Sequence, residues 1–218
     1  MERTERSEPT ERTMRARLLV DGEHYDHFIA TRIREAQVSV WIATANLKTM
    51  LVEAPVGTRA RARGKYVSFF ETLGDLARRG VDVCILHASP PSRPLAAEMR
   101  RLGANGVKLR QCPRVHLKMI AIDGRLLYLG SANLTGAGLG AKGEGRRNFE
   151  LGVVTDDETM LDRTQARFDR IWRGAECAGC AMKRECPRPL SLTSLGSSPR
   201  KCRSPSAPPA PSSRARSA

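Results

Sequence analysis

Between Val115 and Gly136 the chain reads VHLKMIAIDGRLLYLGSANLTG, with His116, Lys118, Asp123, Gly130, Ser131 and Asn133 at the spacing H-x-K-x4-D-x6-G-S-x-N. These residue types supply what attack on a phosphodiester requires. An imidazole can act as nucleophile, a fixed ammonium supplies positive charge, and neutral donors can hold phosphate oxygens. An isolated H-x-K would be two surface residues of an ordinary hairpin. Six identities in register between apolar strand residues form a far more specific signal.

The surrounding sequence predicts how these groups are held. VHLKMIAID and RLLYLGSAN read as two short strands joined by a turn at Asp123-Gly124. Side chains alternate along a strand, so His116 and Lys118 project together, as do Ser131 and Asn133. If the strands pair, all four line one phosphate-sized pocket. Around them, a helix is expected in HYDHFIATRIREA, strands in VSVWIATAN, VDVCILHA, VKLRQC and NFELGVVT, and helices in VSFFETLGDLARRG, RPLAAEMRRLGANG and DETMLDRTQARFDRIW. Residues 53–65 read as a loop. This alternation implies an α/β sandwich with a mixed, largely parallel sheet. Trp41, Trp172 and Cys84 fall in apolar runs and read as core. His24 and His27, one helical turn apart without a third ligand nearby, read as a partly exposed helix face.

With those residues in place, the chain resembles the phospholipase D superfamily, whose signature is this HKD motif, over residues 14–174. The resemblance implies a phospholipase D-like α/β/α sandwich and a two-step mechanism built from two motifs around one phosphate. One histidine forms a phosphohistidine while the other protonates the leaving oxygen and then activates water. This chain has four histidines, His24, His27, His87 and His116, and only His116 begins an H-x-K. A two-fold homodimer would supply the second copy, as in the single-motif bacterial endonucleases and the Zucchini-type nucleases of the superfamily. By this resemblance His116 is nucleophile in one subunit and general acid in the other. Lys118 and Asn133 bind phosphate oxygens with Ser131 assisting, Asp123 supports the structure, and Glu150 orients a histidine. No catalytic metal is implied, so activity should survive a chelator. A bell-shaped pH profile in the histidine range is expected.

Charge bears on the substrate. The formal net charge is +14, with six basic residues and no acid in residues 187–218. A basic body points to a polyanion, most simply nucleic acid. Arg59, Arg61 and Arg63 alternate with small residues, and Arg146 and Arg147 stand beside the NFELG strand; all five are candidates to follow a phosphate backbone. Two Trp, three Tyr and five Phe argue mildly against extensive base stacking. The function expected is a metal-independent nuclease on DNA or RNA, with its site formed across a homodimer. Phospholipid head-group hydrolysis is the alternative, and a non-catalytic nucleic-acid-binding module is the second alternative.

Three cysteines, Cys177, Cys180 and Cys186, form C-x2-C-x5-C in residues 175–189, directly after the last helix. Such spacing in an intracellular chain suits a structural zinc ion or an iron–sulfur cluster, and it resembles the three-cysteine end of cluster sites in some DNA-processing nucleases. A closed site needs a fourth ligand, for which Cys202, Cys112 and Cys84 are candidates. Residues 1–13 and the Pro/Ser-rich tail, 190–218, are expected to be disordered. The charged N-terminus and the short apolar runs suggest neither a signal peptide nor an integral membrane segment, so a cytoplasmic protein is expected.

Overall fold

The computed structural model describes residues 11 and 13–187. The tails expected to be disordered lie outside these residues, apart from Glu11 and Thr13, as does Cys202. In chain order, β1 is Ala16–Val20 and β2 is Ser39–Thr44. A hairpin of β3 (Leu51–Glu53) and β4 (Tyr66–Ser68) carries the short helix α1 (Arg59–Arg63). Next come α2 (Phe69–Arg78), β5 (Asp82–His87), α3 (Arg93–Ala104) and β6 (Lys108–Gln111). The motif region supplies β7 (Met119–Ile122) and β8 (Leu126–Gly130), followed by β9 (Leu151–Thr155) and α4 (Glu158–Arg173).

Seven strands form one sheet in the order β1-β9-β8-β7-β2-β5-β6. The mixed α/β sheet is as expected, but only the β2–β5 and β5–β6 pairings are parallel; the other pairings are antiparallel. Connection length explains the difference. α2 and α3 provide the long crossovers that parallel neighbours need, whereas β7 turns directly into β8 at Asp123-Gly124. Both turn residues have positive φ, 54° and 63°, a pairing matched to the right-handed twist of a hairpin.

β2 shows why helices cover both faces. Its six residues are all buried. Val40 and Ile42 face one apolar cluster with Phe69, Phe70, Leu73 and Leu76, all from α2. Trp41 and Ala43 face the other, with Leu161, Phe168 and Trp172 of α4. The Trp41 and Phe168 rings stack with centroids 5.1 Å apart. Ser68 caps α2 by accepting from the Phe70 N–H at 3.2 Å, and Asp157 caps α4 by accepting from the Met160 N–H at 2.9 Å.

Two local expectations are corrected. The region 53–65 is not a plain loop but the connection of the β3–β4 hairpin, with α1 inside it. The helix expected near residues 24–36 forms only over Tyr25–Ile29, as a wide π-helix followed by turns: Ala30 N–H donates to Tyr25 O at 2.9 Å and Ile33 N–H to Phe28 O at 3.4 Å. These turns bury Phe28, Ile29 and Ile33, and His24 with them. His24 is therefore a core residue, not part of an exposed face, with its ring edge-on to Tyr128 at 5.5 Å between centroids; His27 is exposed.

The motif glycine has a packing reason. Gly130 pairs with Gly152 across β8 and β9, and both lie over the Tyr128 ring. A Cβ at Gly130 would stand 2.4 Å from the Tyr128 hydroxyl and 2.8 Å from Leu151 O. A Cβ at Gly152 would stand 2.5 Å from Tyr128 Cε2 and 2.9 Å from His24 Nε2. Burial drives the Tyr128 phenol far above its ordinary range, with the Ala132 backbone opposing and the Glu150 charge adding to the rise. Both rings are held in the core, so Gly152→Ala is expected to cost about 1–3 kcal/mol, measured as a lower urea midpoint at unchanged slope.

Candidate active site

The sequence-predicted residues gather at one end of the sheet because of strand direction. Met119, at the start of β7, pairs with Ala43 near the end of β2, while Gly130, at the end of β8, pairs with Gly152 near the start of β9. His116 and Lys118 precede β7, Ser131 and Asn133 follow β8, and Glu150 precedes β9. All five therefore emerge at the edge where the parallel strands β2 and β5 have their carboxyl ends. Ligands commonly bind at this position in open α/β sheets.

His116 is exposed, and Lys118 Nζ lies 3.4 Å from both of its ring nitrogens. The same ammonium donates to His116 O at 3.0 Å, and Gly130 N–H donates to Lys118 O at 3.2 Å. The histidine thus reaches solvent with a cation fixed beside it. Asn133 is held by the end of β2: its Oδ1 accepts from Asn46 N–H at 3.0 Å and from the Thr44 hydroxyl at 3.3 Å. With Oδ1 committed to these donors, Nδ2 is the end of the amide left to meet an anion. Thr44 and Asn46 were not legible as site residues, because their role depends on a pairing between segments far apart in the chain.

Ser131 donates to the Glu150 carboxylate in a short hydrogen bond, and Asn148 Nδ2 reaches the other carboxylate oxygen at 3.1 Å. Glu150 N–H is fixed by Asp21 Oδ1 at 2.8 Å. Within one chain the Glu150 carboxylate thus engages Ser131 and Asn148 rather than a histidine.

Asp123 lies at the opposite end of β7 from His116. Its carboxylate accepts from the N–H groups of Gln37 at 3.0 and 3.2 Å, Val38 at 2.8 Å and Ser39 at 2.8 Å. These bonds anchor the start of β2, the strand whose far end holds Asn133. Removing the carboxylate leaves those donors to water, so Asp123→Ala should lower stability by about 2 kcal/mol in a denaturant titration.

The arginines divide. On helical α1, residues two apart turn to different sides, so Arg59 and Arg61 are not side by side; the Arg63 side chain lies outside the described residues. Arg61 is occupied within the hairpin, 3.7 Å from Glu53 Oε2, while Lys65 pairs with the other Glu53 oxygen at 3.1 Å. Lys65 and Arg61 together hold the Glu53 carboxyl below its usual range. Arg59 is exposed. Arg146 is exposed in the loop that leads to β9, and Arg147 Nε donates to Lys142 O at 2.7 Å.

His87 ends β5 at the same sheet edge and is 3 % exposed, its Nδ1 3.1 Å from Ser89 O. Burial lowers its pKa, with the Ser89 carbonyl opposing. The unfolded chain takes up this proton near the ordinary value of about 6.5 while the folded chain resists it. The stability that a neutral His87 contributes is therefore lost as pH falls below that value. The wild-type Tm should drop more steeply than that of His87→Gln between about pH 7 and pH 5.

The three tail cysteines meet the fourth candidate, Cys112. Cys112, Cys177, Cys180 and Cys186 line one cavity of about 90 Å³ beside the end of α4. Burial pushes the Cys177 thiol up; Cys186, Cys112 and Cys180 add to the rise, and Arg114 opposes it. Among the described residues, no helix is long and apolar enough to cross a membrane.

Comparison with known proteins follows the same lines. No curated protein matches the chain. The structure resembles Nuc from Salmonella typhimurium, a phospholipase D family member, at TM-score 0.53 and 20% identity, covering 72% of this chain and 95% of that one. It resembles NucT from Helicobacter pylori at TM-score 0.52 and 18% identity, covering 73% and 96%. Polyphosphate kinase from Porphyromonas gingivalis gives TM-score 0.52 at 14% identity, covering 73% of this chain and 26% of the kinase. Such distant likenesses establish the fold, and the same fold serves more than one enzyme. The sequence itself matches the family model described as "Cardiolipin synthase, PLD-like domain" over residues 29–172. Since that match takes in well over half of the sequence, motif included, the chain belongs to the phospholipase D-like family of this cardiolipin synthase type.

Proposed function

We propose that this protein is a metal-independent phosphodiesterase acting through a phosphohistidine, with nucleic acid as substrate and the site completed by a second copy of the chain. The observation that carries the reading is the Lys118 ammonium held 3.4 Å from both nitrogens of an exposed His116, with Asn133 fixed at the same sheet edge. A phosphate seated there meets a nucleophile, a cation and an amide donor together. In the first step the His116 imidazole attacks phosphorus and the P–O bond to the leaving group breaks. The partner copy's imidazolium gives its proton to the departing oxygen. In the second step the now-neutral imidazole takes a proton from water, whose oxygen displaces the histidine and restores both groups.

An apolar patch beside the site supports the second copy. Leu18 and Val20 of the edge strand β1 and Leu151 of β9 are 58%, 41% and 57% exposed, and Phe149 is 97% exposed. Phe149 and Leu151 flank Glu150, and Ser131 bonds the Leu151 backbone, so a copy packed there would bring its own motif toward this one. The net charge of +14 and the exposed Arg146 favour nucleic acid. Phospholipid diesters are the second reading, because the same apolar patch would instead rest in a lipid interface. The test is cleavage of end-labelled single-stranded and double-stranded DNA, RNA and anionic phospholipid vesicles in EDTA. Nucleic-acid cleavage supports the first reading and head-group release alone the second. No turnover by a folded dimer on any of these would refute both.

A further inference from the structure

The cysteine cavity is separate from the phosphodiesterase site, yet the chain joins the two directly. Cys112 follows β6 and stands four residues before His116. Its N–H donates to His87 O at 2.8 Å, and its carbonyl accepts from Val115 N–H at 3.0 Å. Across the cavity, α4 ends at Gly174 in a left-handed conformation, φ 81°. This turns the chain back, so that Cys177 N–H donates to Gly174 O at 3.0 Å and Cys180 N–H to Cys177 O at 3.2 Å. Arg110 lies over the Trp172 ring at 5.4 Å, and Arg114 Nη1 is 3.5 Å from Glu176 O. Segments more than sixty residues apart in sequence thus place four thiols around one space.

We propose that Cys112, Cys177, Cys180 and Cys186 ligate a [4Fe–4S] cluster, which pins the segment carrying His116 to the end of α4. Four cysteines are the complete ligand set of such a cluster. A single zinc draws its sulfurs in to about 2.3 Å, whereas a cube of iron and sulfide sits between its cysteines and holds them apart. Here the four line a cavity of about 90 Å³, and among the described residues no three His, Cys, Asp or Glu side chains are grouped as one metal ion would require. Charge fits as well. Four thiolates around a cubane leave a net negative centre, and Arg114, Arg167 and Lys183 line the same cavity. Glu176 is not a competing ligand, since Arg167 and Arg170 hold its carboxylate at 2.9 and 3.0 Å.

The experiment uses the full chain, purified without oxygen from iron-supplemented cells. Iron, acid-labile sulfide and zinc are quantified, and the visible spectrum is recorded before and after dithionite. About four iron and four sulfide per chain are expected. Cys112→Ser should lose most of both, while Cys202→Ser should retain them. Because misfolding of Cys112→Ser would also lose the cluster, thiol alkylation of wild type with peptide mapping provides the second arm. Cys112, Cys177, Cys180 and Cys186 should be protected together and become reactive together once the cluster is destroyed by oxidation. One zinc per chain without sulfide would overturn the cluster. So would an absence of iron and sulfide after reconstitution, or Cys112 alkylated at once while the other three stay protected. Retention in Cys112→Ser with loss in Cys202→Ser would overturn the ligand assignment. None of these readouts depends on turnover, so they stand apart from the phosphodiesterase reading.

Discussion

Replacing His116 with alanine is expected to lower phosphodiester cleavage by about 10⁴-fold, while EDTA leaves the wild-type rate unchanged. In a homodimer the substitution removes both the nucleophile and the general acid, since one residue type fills both roles. Lys118 and Asn133 remain, so the variant should still bind substrate with an affinity close to wild type. His116 is exposed and belongs to neither apolar cluster, so folding should be little affected. The check is single-turnover cleavage of end-labelled nucleic acid alongside a binding titration and a thermal melt. Loss of binding in step with loss of cleavage would contradict the assigned role. Inhibition of the wild type by EDTA, with the cysteine centre intact, would contradict the metal-independent mechanism.

The second large effect concerns the shared site. When wild-type and His116→Ala chains are unfolded together and refolded as mixtures, activity should fall as the square of the wild-type fraction. A site that needs one histidine from each copy works only in wild-type homodimers. A site complete within one chain would instead give activity proportional to the wild-type fraction. A mixing curve that is linear, with dimers confirmed by light scattering, would therefore reject the composite site while leaving the chemistry of His116 intact. The apolar patch of Leu18, Val20, Phe149 and Leu151 gives an independent handle: Phe149→Asp places a charge where a second copy would pack, and its 97% exposure means the monomer's own core is untouched.

Much of this was legible in the sequence because its physics is local. The H-x-K and G-S-x-N groups lie on or next to short apolar strands, where a two-residue period sets which side chains share a face. The turn at Asp123-Gly124 and the helices α2, α3 and α4 follow from turn chemistry, caps and helical spacing in the same way. What the local pattern could not carry is pairing between distant segments. Strand directions decide that His116, Asn133 and Glu150 share one sheet edge while Asp123 lies at the other. The wide turns that bury His24 depend on a core assembled from β1, β8 and β9, so helical spacing alone misplaced it. Cys112 was one of three candidates for the fourth thiol, and only the packing of β6 against the end of α4 brings it to the other cysteines. The sequence by itself determined the family, the motif chemistry and the α/β class, because these rest on residue type and short spacing. The tertiary structure decided the sheet's mostly antiparallel pairing, the partners of each motif side chain and the meeting of the four cysteines, because those contacts join residues that chain order leaves far apart.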